Sequence, residues 1–419
     1  MTGSRLRVFS AELFRWISCI SSGHSSILGR GYRAGLDKPA LRNTQRVRLL
    51  QSTIGRDQAI PNDDAVPQVT APERVGVPAV TLSDASDPMW LAYVQGHPDA
   101  TAFHHPRWLE LLASTYGYRP LIVTIRDTRN SIVAGLPLLD VRSWLTGRRL
   151  ISLPFTDYCP PLGRGASDLT ELASALSAWR RGTGQPRLEI RGAMPQMHGL
   201  RSVPAAVRHL LTLEPDVQRV SSRFRKSATR AVHKAQRAGV EVTLSRSQDA
   251  MSAFYRLHWL THRRLGVPVQ PQRFFEQLWR SVIEPELGFV LLAHRAGQPI
   301  AGAVYLSWNR NLIDKYAASD PRHVQARPNN LICATAIEWG CRNGYRTLDF
   351  GRTDFEHEGL RRFKSSWGAV ELPLEYSYLG AEPRRQQGGY VRGALSKVIQ
   401  VSPPIVCRGL GEALYGHFA

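Results

Sequence analysis

Lysine is nearly absent from this chain: of 54 basic residues only six are lysine (Lys38, Lys226, Lys234, Lys315, Lys364 and Lys397), and the rest are arginine. A skew of that kind more often reflects genome composition than a nucleic-acid partner, so the net charge of +20 does not by itself assign one. Cysteine is scarce too. The five cysteines (Cys19, Cys159, Cys333, Cys341 and Cys407) are odd in number, widely spaced and without a CxxC pair, which disfavours a disulfide framework and a zinc site and fits a reducing compartment. No apolar run approaches the ~20 residues needed to cross a bilayer. Neither GxGxxG after a strand nor GxxxxGK[ST] occurs, which removes the physical basis for nicotinamide and nucleoside-triphosphate readings.

What is present is a chain of 419 residues, 43% apolar and 21% charged, long enough for two domains that each bury a core. Residues 1–50 hold nine basic residues and two acidic ones, Glu12 and Asp37. Together with the proline-containing stretch 51–80, they read as a disordered basic leader and linker. Leu6, Phe9, Leu13, Trp16 and Ile20 recur at helical spacing, which suits a short interfacial helix. An organelle transit peptide and an over-long start fit the same composition. At the other end, residues 381–419 read as a helical appendage divided by Pro403 and Pro404, either covering a domain edge or touching a membrane surface.

Between them the pattern is globular and occurs twice. Strand-like runs at 121–125, 132–141, 150–155 and 187–190 recur as 289–294, 300–308, 312–318 and 347–350, each set interrupted by a helix before its last strand. The shared order is helices, three consecutive strands, a helix, a strand and a final strand. The expected class is therefore mixed α/β with two tandem units, 81–216 and 217–380.

Three segments carry chemistry. The first, Arg219–Arg237, reads as one basic helix with seven Lys/Arg and no acid, on which Arg223, Arg230, Lys234 and Arg237 share a face suited to phosphate. A solvated helix between domains has the same pattern. The second, the loop SDPRHVQARPNNL, opens a helix where Arg322, Arg327, Asn329 and Asn330 can donate to an anion or merely cap. The third, DFGRTDFEHEGLRRFKSSWG, follows a strand. Here Gly351 permits a sharp turn and Arg352, Asp354, Glu356 and His357 project from a strand-end loop. Lys364, set among Phe363, Trp367 and Gly368, reads as a surface charge whose loss costs little stability. Cys159 and Cys333 read as buried structural thiols.

The order of elements is that of the Gcn5-related acyltransferase (GNAT) fold. The stretches ATAFHHPRWLELL, LPLLDVRSWLTGRRLISLPFTDY and ARPNNLICATAIEWGCRNGYRTLDFGRTDFEHEGLRRFKSSWGA resemble those of the FemAB-like superfamily. That superfamily pairs two such domains, and it includes peptidoglycan-bridge aminoacyltransferases and proteins linked to exopolysaccharide production. The resemblance spans about residues 85–380 and implies two GNAT-like (acyl-CoA N-acyltransferase-type) domains with the chemistry in the second. It implies an acyl-CoA donor at Arg322, Arg327, Asn329 and Asn330, phosphate contacts at Arg223 and Arg230, and Lys364 close to the reacting centre. The carbonyl would be held by amides of the strand near Tyr316–Ser319, and the proton taken by one of Asp314, Asp349, Asp354, Glu356 and His357. The acceptor it implies is a small-molecule or lipid-linked glycan, and no metal is needed. The long helical arm of several peptidoglycan-bridge enzymes is missing, so aminoacyl-tRNA, and with it nucleic acid, is the second donor reading. A noncatalytic glycan-binding or scaffold protein is the third, because the donor loop lacks its usual glycines. The expected location is cytoplasmic, with peripheral contact at the inner membrane face.

Overall fold

The computed structural model describes residues 79–144, 147–380 and 415–417, so the leader and almost all of the C-terminal appendage lie outside the described residues. The N-terminal half runs β1 (Thr81–Ser83), α1 (Pro88–Gly96), α2 (Pro106–Tyr116), β2 (Arg119–Arg126), β3 (Ile132–Ser143), β4 (Gly147–Ile151), β5 (Leu162–Gly163), α3 (Ala166–Thr183), β6 (Leu188–Ile190) and β7 (Leu200–Thr212). In the C-terminal half follow α4 (Val217–Ser221), α5 (Lys226–Arg237), β8 (Val240–Ser245), α6 (Gln248–Leu265), α7 (Gln272–Leu278), β9 (Gly288–Arg295), β10 (Gln298–Trp308), β11 (Asn311–Ser319), α8 (Pro328–Arg342), β12 (Thr347–Thr353), α9 (Glu358–Ser365) and β13 (Val370–Leu379).

Local chemistry sets these boundaries. Helix α2 starts with Pro106 after a His105 cap and stops at Gly117, whose left-handed backbone closes the last turn. Its inward stripe of Trp108, Leu109, Leu111 and Leu112 is fully buried. Ser247 caps α6 by accepting from Ala250 N, and Gly266 ends it in the same left-handed way.

One mixed sheet runs through both halves in the order β1-β2-β3-β4-β6-β13-β7-β12-β11-β10-β9-β8, with β5 beside β3. Each half has an antiparallel run and one parallel pair, β4 with β6 and β11 with β12. The final strands are exchanged. β7, the last strand of the first half, pairs with β12, and β13, the last of the second half, pairs with β6. At the centre β7 and β13 pair along ten register positions, so the boundary near residue 216 divides the chain but not the sheet. One apolar core, with α1, α2, α6 and α7 on a single face, is continuous across both halves. On separate cores, α5 and α8 pack against the second half and α3 against the first.

Two local readings need correction. The basic segment 219–237 is not one helix: α4 ends at Ser221, and Arg223 lies in the turn before α5, off the helix that carries Arg230. The break lets Phe224 pack edge-on against Trp367 at 5.0 Å and Arg225 N donate to Ser366 O at 2.8 Å, contacts a continuous helix would forgo. The DFGRT cluster is not a single projecting loop. Arg352 still belongs to β12, and a helix, α9, begins at Glu358.

Candidate active site

β11 and β12 lie side by side for only three residue pairs, ending at Ile313 with Asp349, and then diverge. From Asp314 to Ser319 the β12-facing edge of β11 has no strand partner. Lys315 is the extra residue of a β-bulge, because Val304 and Tyr305 of β10 oppose Tyr316 and Asp314. β12 is irregular at the same level, its register with β7 shifting between Asp349 and Arg352. Gly351 makes that turn in left-handed backbone (φ 68°), and its N–H donates to Asp349 Oδ1 at 2.8 Å.

The mouth of this split is finished by a loop from the other half. Residues 152–161 place Leu153 and Phe155 in left-handed backbone (φ 64° and 57°), strain that the surrounding bonds hold in place. Trp108 Nε1 donates to Thr156 Oγ1 at 2.9 Å, and Lys315 Nζ donates to Phe155 O at the same distance. Tyr376 of β13 donates its hydroxyl to Asp157 O at 2.9 Å. The Asp157 carboxylate then sits over Gly351: a Cβ there would be 2.9 Å from Oδ2. That oxygen accepts no hydrogen bond and lies 3.5 Å from Lys315 Nζ.

Lys364 is fully buried, which overturns its reading as a surface charge. Its ammonium donates to Gly351 O at 3.0 Å and Arg352 O at 3.1 Å, pinning the irregular turn of β12 to α9. Burial pushes its pKa down to about 8, opposed by the carboxylates of Asp314, Asp157 and Asp349. Lys315 is lowered by the same cause, with Asp157 opposing. The split is thus floored by two buried ammonium groups among carboxylates.

Along the outer edge, Arg208 of β7 donates to Asp349 Oδ2 at 3.2 Å and stacks 4.1 Å over the Tyr158 ring. Arg352 binds Asp354 Oδ1 at 2.8 Å, the Tyr376 hydroxyl at 3.1 Å and Ala205 O at 3.3 Å. Asp354 is therefore tied to Arg352, while Glu356 and His357 stand in an exposed turn beyond the split. Sequence reasoning missed Asp157, Arg208 and Lys315. Lys315 shares the one signal that had drawn attention to Lys364, the rarity of lysine.

The remaining expected residues are scattered. Tyr316 is buried in the aromatic core, its hydroxyl accepting from Gln270 Nε2 at 3.4 Å, so its side chain faces the interior and not a substrate. The Ser319 amide is also taken, by Thr261 Oγ1 at 3.0 Å. Arg322 chelates Asp320, holding that carboxyl below its usual range. Arg327 occupies left-handed backbone immediately before α8. Asn329 is buried in the first turn of that helix, and Asn330 is half-buried. Arg223 is paired with Glu214, and Arg230 is exposed on α5. Cys159 and Cys333 are buried, and burial raises both thiols well above their ordinary range. Among the described residues no group of three His, Cys, Asp or Glu side chains can hold a metal ion, and no helix is long and apolar enough to cross a membrane.

In the N-terminal half the equivalent pair, β4 and β6, also parts after two register positions. There the gap is filled by peptide groups. Ser152 N donates to Glu189 O, Arg191 N to Ser152 Oγ, and Cys159 N to Arg191 O, each at 2.8 Å. Gly192 lies so close to this loop that a Cβ would meet Pro160 at 2.6 Å.

The profile of the acetyltransferase (GNAT) domain family matches residues 222–365, the stretch that contains the open split. No curated protein matches the sequence. Among solved structures, FemX superposes with a TM-score of 0.55 at 15% identity, covering 71% of this chain and 96% of FemX. L-PGS from Bacillus licheniformis superposes at 0.48 and 13% identity, covering 76% of this chain and 99% of its own. A tandem GNAT protein from the clavulanic acid biosynthesis pathway gives 0.41 and 10%, covering 73% and 100%. At such identities the likeness to FemX is one of fold. Residues 222–365 thus match the GNAT acetyltransferase domain family, and the fold is that of FemX across 71% of the chain.

Proposed function

We propose that this chain is an acyltransferase that moves an acyl group, acetyl from acyl-coenzyme A or in a second reading aminoacyl from aminoacyl-tRNA, onto an amine or hydroxyl of a cell-envelope or exopolysaccharide precursor. The observation that carries the reading is the split itself. Within the GNAT segment, the edge of β11 from Asp314 onward is left without a strand beside two buried ammonium groups. Acyl transfer needs donors aimed where negative charge develops on the carbonyl oxygen, in a site shielded from water. Backbone N–H groups along that edge serve this need, with Ser319 excluded by its bond to Thr261. Lys364 adds positive potential at the floor. Nothing here requires a covalent enzyme intermediate.

Donor phosphates fit the start of α8. No side chain caps that helix, its first residue is Pro328, and Arg327 and Asn330 flank it. The carboxylate favoured as proton acceptor is Asp157, because Asp349 and Asp354 are each held by an arginine and Glu356 and His357 stand in an exposed turn. The envelope acceptor rests on the resemblance of the motifs to FemAB-like proteins. Aminoacyl-tRNA is favoured as donor by one observation: Lys226, Arg230, Lys234 and Arg237 along α5, and Arg225 just before it, are all exposed.

Calorimetric titration of the full chain with coenzyme A, acetyl-coenzyme A and charged tRNA tests this reading. It expects micromolar coenzyme A binding and thiol release when an amino-sugar precursor is added. Binding of charged tRNA alone would shift the donor, and binding of neither would remove the enzymatic reading.

A further inference from the structure

Arg208 and Arg352 are direct register partners on β7 and β12, so their side chains leave the same face of the sheet next to each other. Like charges directly opposite on antiparallel neighbours destabilise a sheet. Each guanidinium is nevertheless held by one carboxylate and one tyrosine: Asp349 and Tyr158 for Arg208, Asp354 and Tyr376 for Arg352. The two differ in what they have left to give. Arg352 is turned inward on Asp354, Tyr376 and Ala205 O. Arg208 spends one NH1 contact on Asp349, its remaining N–H groups have no partner among the described residues, and its side chain is 19% exposed. Tyr158 fixes the plane of the guanidinium. Asp349 is itself fixed by Gly351 N, so the open donors stand at a set distance from the split.

We propose that Arg208, reinforced by the charge of Arg352, is an oxyanion-binding site for the acceptor, which therefore carries a phosphate or carboxylate group close to its nucleophile. A planar guanidinium with free donors is suited to both anions. Assignment to the acceptor rests on the acyltransferase reading and on strand order. Arg208 lies across β12 from β11, whereas the donor phosphates are assigned to the start of α8, which follows β11.

The test measures binding of inorganic phosphate and of acetate to the full chain at constant ionic strength, and separately binding of coenzyme A. Removing one charge-assisted contact weakens binding at least about ten-fold, so Arg208→Gln should do this to one of the two anions. Arg208→Lys keeps the charge without the fork and should lose less. Arg342→Gln, on an exposed helix face, should change neither. Which anion responds tells phosphate from carboxylate, and coenzyme A affinity stays within about two-fold of the wild type. Anion binding indifferent to Arg208, or lost equally in Arg342→Gln, overturns the site. A parallel fall in coenzyme A affinity overturns its assignment to the acceptor. If the wild type binds the anion through Arg208 but not coenzyme A, the donor reading fails while the oxyanion site stands.

Discussion

The two halves part their sheets at the same place and fill the gap by different means. In the first half, β4 and β6 separate and the chain's own loop 152–161 bonds β6 onward through Arg191 with the Ser152 and Cys159 N–H groups and the Ser152 hydroxyl. In the second half, β11 and β12 separate, and the carbonyls of Gly351 and Arg352 are taken by the ammonium of Lys364. The plug closes the first seam, where the buried charges of Glu189 and Arg191 are paired with each other at 2.9 Å. In the second, buried lysines satisfy backbone carbonyls beside an unpaired strand edge, a costly choice for a purely structural joint. The chain thus has one closed seam and one open split, and the closed half lends its plug loop to the rim of the other.

The largest expected effect belongs to the charged filling. Lys364→Met should cost transfer roughly 2 to 4 kcal/mol of transition-state stabilisation, read from kcat/KM, because both the pinned β12 turn and the positive potential at the split are lost. It should also cost about 1 to 3 kcal/mol of stability in denaturant titrations, since two buried carbonyls lose their donor. A fully active, fully stable Lys364→Met protein would erase the distinction between the halves.

Next come the glycines that seat the two fillings. Gly351→Ala must adopt left-handed backbone and meet Asp157 Oδ2, and Gly192→Ala must displace Pro160. Each should cost roughly 1 to 3 kcal/mol in stability. Only Gly351→Ala should slow transfer per folded molecule. Equal kinetic losses in both would mean that the first split also takes part.

Acid sharpens the comparison further. Burial pushes His258 well below its ordinary value, with His262 adding to the shift, and holds His262 and His104 at about 4. Their folded pKa values lie below the unfolded value of 6.5. The stability gained by keeping them neutral is therefore complete above 6.5 and declines as pH falls from there toward 4. His104 bonds Thr101 N and Pro160 O, whereas neither ring nitrogen of His258 has a partner. His258→Phe should thus flatten the acid limb of the melting curve, by on the order of 1 kcal/mol at pH 5. His104→Phe should lower the melting temperature at every pH. The smallest effect should come from Arg223→Gln, under about 1 kcal/mol, because its pairing with Glu214 is half-exposed.

Much of the sheet could be read from the sequence, because runs such as Leu121–Ile125 and Phe289–His294 are mostly apolar and their spacing repeats. The strand exchange could not, since the partners of β7 and β13 lie at least 135 residues away and no local pattern records that. β8, VEVTLS, alternates visibly and was passed over. α9 was hidden by its own chemistry: its inward residue is Lys364, so apolar periodicity sees only Leu360 and Phe363. The site follows the same division. Arg352, Asp354 and Lys364 stand out because they cluster in sequence, whereas Asp157 and Arg208 reach the split only through folding of the other half.

Hydrogen exchange of the full chain with and without coenzyme A, read by mass spectrometry, tests the central claim most directly. One open and one closed split predict slowed exchange at residues 314–330 and 347–353, and none at 188–192. Protection centred on 188–192, with 314–330 unchanged, would contradict the account.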